Sequence, residues 1–242
     1  MKVVFVGPTL FGLIQDEGIE NFPGLLCRPP AAQGDIAKAV LDGASVIGLV
    51  DGRYEDIAAP WHKEILWAIQ NGLTVLGGGS LGALRACECT PFGMIGVGKI
   101  FERYANEELV DDSDVAQLHG PAELGFLPLT EALVNVLATI DQARDCGDID
   151  KRTADNLFDL ARATFFKELT FETLSGRHAG GSSDAASLCE TLLRNRVDLK
   201  REDALRLLEA MQALPDSRSV PKLTWKMAEP LIWTKFMQTL TA

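Results

Sequence analysis

The strongest constraint on the fold is a rhythm in the first hundred residues. Short, β-rich apolar runs alternate there with stretches of helical pattern. The runs are Val3 to Val6, Leu25 to Arg28, Ser45 to Val50, Leu73 to Leu76 and Met94 to Val97. Helices are expected over Asp35 to Leu41, from Pro60 to Gln70, and from just after Ser80 through Glu88. Proline suits a first helical position, and Asn71-Gly72 suits a helix end. Strands joined by helical crossovers run parallel. Strands buried on both faces carry continuous apolar runs rather than alternation, and these do. The expected fold is therefore α/β and Rossmann-like, a mostly parallel sheet with helices on both faces. A further strand is expected over Val115 to Leu118, and a helix over Thr130 to Ala143 with Thr130 as its N-cap.

The pattern changes near Asp145. From Asp148 to Leu214 apolar residues recur at helical spacing, as in Leu157, Leu160, Ala161 and Leu205, Leu208, Met211. Residues 1–145 are expected to form the α/β core domain and residues 146–242 a helical C-terminal region. Ala179 to Asp184 reads as a loop or helix start. The helical region packs on the sheet domain or against a second subunit, so a homo-oligomer is one expectation.

The chain has 242 residues, 47% of them hydrophobic, which is enough for a sizeable core. No apolar run approaches the roughly 20 residues that span a bilayer. The start, Met1 to Gly7, lacks the length and cleavage site of a signal peptide and reads as a first strand. A cytoplasmic protein with no membrane contact is expected. The formal net charge of −11 disfavours phosphate backbones, so no nucleic-acid partner is expected. The five cysteines, Cys27, Cys87, Cys89, Cys146 and Cys189, need not pair in a reducing compartment. Cys87 and Cys89 are too few for a zinc site and point apart on a helix. Asp111 to Asp114 lacks the glycine and terminal glutamate of a calcium loop and reads as a solvated turn. No metal and no cofactor are expected.

Gly78-Gly79-Ser80-Leu81-Gly82 fits G-x-S-x-G between an expected strand and an expected helix, the context of a nucleophile elbow. Glycines permit the sharp turn. The serine then stands at a helix N-terminus, where backbone N–H groups favour an oxyanion and Leu81 N–H is one donor. Two other readings fit the same pattern: a tight turn with Ser80 capping its helix, and a phosphate cradle. The complete P-loop and dinucleotide fingerprints are absent there.

A nucleophilic serine needs a base. The chain has three histidines. In a parallel sheet the segments after strands emerge at one edge, where ligands bind. Asp51, His62, Lys63, Ser80 and His119 are thus expected to converge, with His62 or His119 as base and Asp51 orienting it, and with Lys63 a base if desolvated. The plainer readings are a packing residue for His62, a turn anchor for His119, a turn aspartate for Asp51 and a solvated residue for Lys63. Arg85 and Glu88 fall at i,i+3 and can pair with each other. His178 reads as exposed.

Several segments, in order, resemble the TfuA-like family. They are Val4 to Leu10, Pro29 to Asp35, Ile47 to Tyr54, Trp61 to Leu66, Ser80 to Ala86, His119 to Glu123 and Glu131 to Val136. The His-Lys-Glu segment falls on His62, Lys63 and Glu64, and the Ser-x-Gly-Ala-Leu-Arg segment on Ser80 to Arg85. The resemblance implies a partner of a YcaO enzyme, which activates a peptide amide with ATP. The implied role is to liberate sulfide from a ubiquitin-like, thiocarboxylated sulfur-carrier protein. The cysteines lie outside the shared segments. A non-catalytic adaptor that binds and activates the YcaO partner is the alternative. The fold alone would also allow a nucleotide-binding protein.

Overall fold

The computed structural model describes residues 1–15, 18–19, 21–53, 55, 57–180 and 184–241. Tyr54 of the resemblance segments, and residues 181–183 of the expected loop, lie outside the described residues.

The chain forms β1 (Lys2–Phe5), β2 (Ile14–Gln15), β3 (Gly18–Ile19), β4 (Leu25–Arg28), α1 (Asp35–Leu41), β5 (Val46–Leu49), α2 (His62–Gln70), β6 (Thr74–Gly78), α3 (Leu81–Cys89), β7 (Ile95–Val97) and α4 (Lys99–Ala105). Five strands make one sheet in the order β4-β1-β5-β6-β7. Every neighbouring pair in it is parallel. The expected α/β, Rossmann-like sheet is therefore present. Strands β2 and β3 pair separately as a short antiparallel ribbon. At the centre, Val4 faces Cys27 on one side and Gly48 on the other. Val46 to Leu49 are buried throughout, as a strand covered on both faces requires.

The two sheet faces are covered by different parts of the chain. Val3, Phe5, Ile47 and Val75 pack with Ile36 of α1, Ile65 of α2 and Ala86 of α3. Val4, Val6, Val46, Val50 and Leu76 pack on the other side with Leu207, Leu208 and Met211. Those three residues belong to α9 (Leu199–Ala213), which follows α5 (Leu133–Asp145), α6 (Lys151–Ala163), α7 (Phe171–Ala179) and α8 (Asp184–Arg194). Each of the three is fully buried, and each such burial contributes about 2 kcal/mol. The C-terminal region thus supplies one cover of the sheet. Helices α5 to α8 enclose a cluster of their own around Ile140, Leu157, Phe171 and Leu192. Beyond α9, α10 (Leu231–Thr241) lays Trp233 against Trp67 and Phe236 against Trp61.

Two expected elements differ. Val115 to Leu118 is not a strand. Its polar backbone groups are satisfied elsewhere: Lys200 Nζ donates to Val115 O, and Leu118 N donates to Thr130 Oγ1. Thr130 is consequently not an N-cap, and α5 begins at Leu133 after Ala132. The Asp111 to Asp114 turn is a short 3₁₀ segment whose own amides donate to Asp111 and Asp114. Among the described residues no helix is long and apolar enough to cross a membrane.

Candidate functional site

The site is built around the turn from β6 to α3. Gly77 and Gly78 continue the strand, so the turn itself falls on Gly79, whose φ of +73° is open to glycine at little cost. Ser80 follows with an extended φ of −148° and leaves its side chain off the helix it precedes. The reading of Ser80 as the cap of its own helix is therefore not what the structure contains. Two residues on, Gly82 brings α3 against β5. A methyl group there would lie 1.7 Å from Leu49 O, and Gly82 N donates to Val50 O at 3.0 Å. The Leu81 N–H, first in the helix, has no acceptor among the described residues.

Ser80 lines an open cavity of about 670 Å³ at the carboxyl edge of the sheet. Asp51, Arg53, His119, Phe166 and Lys200 line it too. Three lengths of chain meet here: the strand ends, the loop after Val115, and two residues of the C-terminal half.

Asp51 is 3% exposed and fully engaged. Its Oδ2 accepts from Gly7 N at 2.8 Å and Thr9 N at 3.1 Å, and its Oδ1 from Thr9 Oγ1 at 2.6 Å. It holds the turn after β1 and makes no hydrogen bond to a histidine among the described residues, so it does not orient a base. His119 is half-buried, with Nδ1 2.8 Å from Gly120 O and its ring edge-on to Phe126 at 5.7 Å. A carbonyl only accepts, so in the neutral ring Nδ1 carries the proton and Nε2 keeps its lone pair.

Lys200, at the start of α9, is the residue that sequence reasoning missed. It is 2% exposed and donates from Nζ to Val115 O at 2.9 Å and Gln117 Oε1 at 2.8 Å. Burial pushes its pKa down; the Asp51 charge nearby, then those of Asp198 and Glu131, pull it back up. Its position in sequence gives no local signal. The residue sits in a helical stretch rich in charge, 120 positions after Ser80.

The remaining candidates do not converge with Ser80. His62 is exposed, and its Nε2 is 2.8 Å from Glu88 Oε2. Arg85 donates to the same oxygen at 2.7 Å, the i,i+3 pairing anticipated. Burial raises the Glu88 pKa, but these two partners outweigh it and hold the carboxyl below its usual value. Lys63 donates to Ala228 O at 2.6 Å. Neither His62 nor Lys63 lines the cavity. Glu64 is buried and accepts from the amides of Gly34, Ala37 and Trp61, tying the start of α1 to that of α2. Burial still pushes its pKa up against those bonds. It is a structural post.

Cys27, Cys87 and Cys89 are poorly placed for sulfur chemistry. Burial pushes the Cys27 thiol up to about 11 and the Cys89 thiol up to about 12, so neither is a thiolate near neutrality. Cys87 is raised as well, by burial first.

No curated protein matches the chain. A family model described as TfuA-like protein matches residues 51–170, a span that contains Asp51, Ser80 and His119 and stops short of Lys200. The TfuA-like family is associated with YcaO enzymes and peptide thioamidation. By this match, which starts at the strand-end aspartate of the cavity and runs through its serine and histidine, the chain is a TfuA-like protein.

Proposed function

We propose that the chain liberates sulfide from a thiocarboxylated, ubiquitin-like carrier protein for use by a YcaO partner, with Ser80 as nucleophile and His119 as base. The observation that carries this reading is the position of Ser80. Its side chain is not used as a cap, it precedes the N–H of Leu81, which has no acceptor among the described residues, and it shares a cavity wall with His119.

The chemistry is acyl transfer. Ser80 Oγ bonds to the thiocarboxyl carbon while its proton passes to His119 Nε2. Leu81 N–H donates a hydrogen bond to the carbonyl oxygen, which strengthens as charge builds there. The C–S bond then breaks, and the proton held by His119 leaves on sulfur as hydrosulfide. Water, deprotonated by His119, cleaves the resulting ester to free Ser80 and a carrier carboxylate, with one proton released overall. A cavity open at one side suits a flexible protein terminus better than a sealed pocket would.

The test is Ser80→Ala, mixed with thiocarboxylated carrier in the absence of the YcaO enzyme. Sulfide release is expected to fall by at least about 10³-fold. Release at the wild-type rate would remove Ser80 as nucleophile. An adaptor role can accompany the chemistry. It is favoured by α10, which buries Trp233 but leaves Leu231 and Ile232 at 69% and 61% exposure.

A further inference from the structure

Lysine is almost never fully buried unless its charge is paired. Lys200 is 2% exposed, yet among the described residues its Nζ bonds only to a peptide carbonyl and a side-chain amide. Among the described residues no carboxylate forms an ion pair with it. Asp51, the strongest of its acidic neighbours, has both oxygens committed to Gly7 and Thr9. Asp198 Oδ1 accepts from Asn135 Nδ2 and from the Arg201 amide, and Glu131 pairs with Arg196. An ammonium carries three protons, and two of these have protein acceptors. The residue lies on the wall of the cavity that also holds Ser80. There, the start of α3 adds a second source of positive potential, since the first amides of a nine-residue helix point outward from it.

We propose that Lys200 is a substrate-binding residue, which takes the negative charge of an acyl terminus, thiocarboxylate before reaction and carboxylate after it. This rests on the acyl-transfer reading of the cavity. A thiocarboxylate is anionic near neutrality, and its charge opposes attack by any nucleophile at the adjacent carbon. A fixed cation removes that obstacle and at the same time selects charged termini over the amides of ordinary chains. Because the cation comes from α9, the anion site is complete only when the C-terminal region is seated on the sheet.

Binding of N-acetylglycylglycine and of its C-terminal amide is to be compared in the full-length wild type, Lys200→Met and Ser80→Ala, by calorimetry or NMR titration. Wild type is expected to bind the carboxylate at least about tenfold more tightly than the amide, and Lys200→Met to lose that preference. Ser80→Ala keeps it. In the wild type, the Lys200 side-chain 13Cε resonance is expected to shift with the carboxylate and not with the amide, which tests the contact even if Lys200→Met does not fold. Absence of a carboxylate preference in the wild type, its survival in Lys200→Met, or an unmoved Lys200 resonance would each overturn the proposal. The serine step is separable. A Ser80→Ala protein that still releases sulfide removes Ser80 as nucleophile and leaves the anion site standing.

Discussion

Helix α3 has a polar group at each side, and the two differ in whether their charges are already satisfied. On its outer side His62 and Arg85 both serve Glu88, and all the charges there find partners within the protein. The His62 and Glu88 side chains are 50% and 35% exposed, so water serves them as well. On its inner side stand a serine free of capping duty, a histidine with one anchored nitrogen, and a buried lysine with no ion-pair partner among the described residues. A cluster that satisfies itself has little to offer a ligand. One that leaves a hydroxyl, a ring nitrogen and a buried ammonium on the wall of a cavity does. Residue type and nearness to the Gly-Ser-Leu-Gly turn would rank the two groups alike, and only the accounting of partners separates them.

The largest expected effect tests the inner group. His119→Ala should lower sulfide release from thiocarboxylated carrier by about 10²- to 10⁴-fold, the range for losing a general base. The fold should tolerate the change, because the ring contributes one hydrogen bond to Gly120 and one edge contact to Phe126. Circular dichroism on the same sample separates the two effects. A loss of less than about threefold would reduce the ring to a prop for its loop, and the comparison between the two histidines would collapse.

A second effect, smaller and on stability, probes how the turn is held. Gly82→Ala places a methyl group 1.7 Å from Leu49 O and forces α3 away from β5. Overpacking of this kind costs about 3 kcal/mol, read as a lower urea midpoint. Gly176 of α7 is the control, for a methyl there meets nothing within 4 Å. Gly176→Ala should leave stability unchanged or raise it by up to about 1 kcal/mol. If the two variants behaved alike, close approach of helix and strand would not be what glycine secures at Gly82.

The sheet was readable because its signals are local. Continuous apolar runs at Val46 to Leu49, and the glycine-rich step into α3, are both contained in a few adjacent residues. The site was only half readable for the same reason. Ser80 and His119 announce themselves by motif and by residue type. Lys200 does neither, because it reaches the cavity from a helix that crosses back over the sheet, and helical periodicity records that a face is buried without recording against what. The extended reading of Val115 to Leu118 failed in an instructive way. Val115 and Ala116 are buried as a strand's residues would be while Leu118 is exposed, and Lys200 and Thr130 take backbone bonds that a neighbouring strand would have taken. The orienting role given to Asp51 failed because two amides and a hydroxyl of the turn after β1 already occupy its oxygens. Proximity to a strand end placed it correctly in the cavity and said nothing of its partners.

The smallest expected effect concerns the outer group, and it is the sharper test for being small. His62→Ala removes one of two partners of Glu88 and leaves Arg85 in place at 2.7 Å. Exposed pairs of this kind contribute about 0–1 kcal/mol, so the unfolding free energy should fall by less than about 0.5 kcal/mol. Sulfide release without the YcaO enzyme should stay within about twofold of wild type, since His62 does not line the cavity. A tenfold loss would mean that α3 presents its outer side to the carrier, and that the cavity at its N-terminus is not where the acyl group reacts. Normal release combined with a loss of coupled thioamidation would place the YcaO partner on this side instead. That result would leave the inner group its chemistry and give the outer one the docking role that its satisfied charges suit: a surface already at ease in water gains little from a small anion, but can be covered by a partner that brings matching groups to all of it at once.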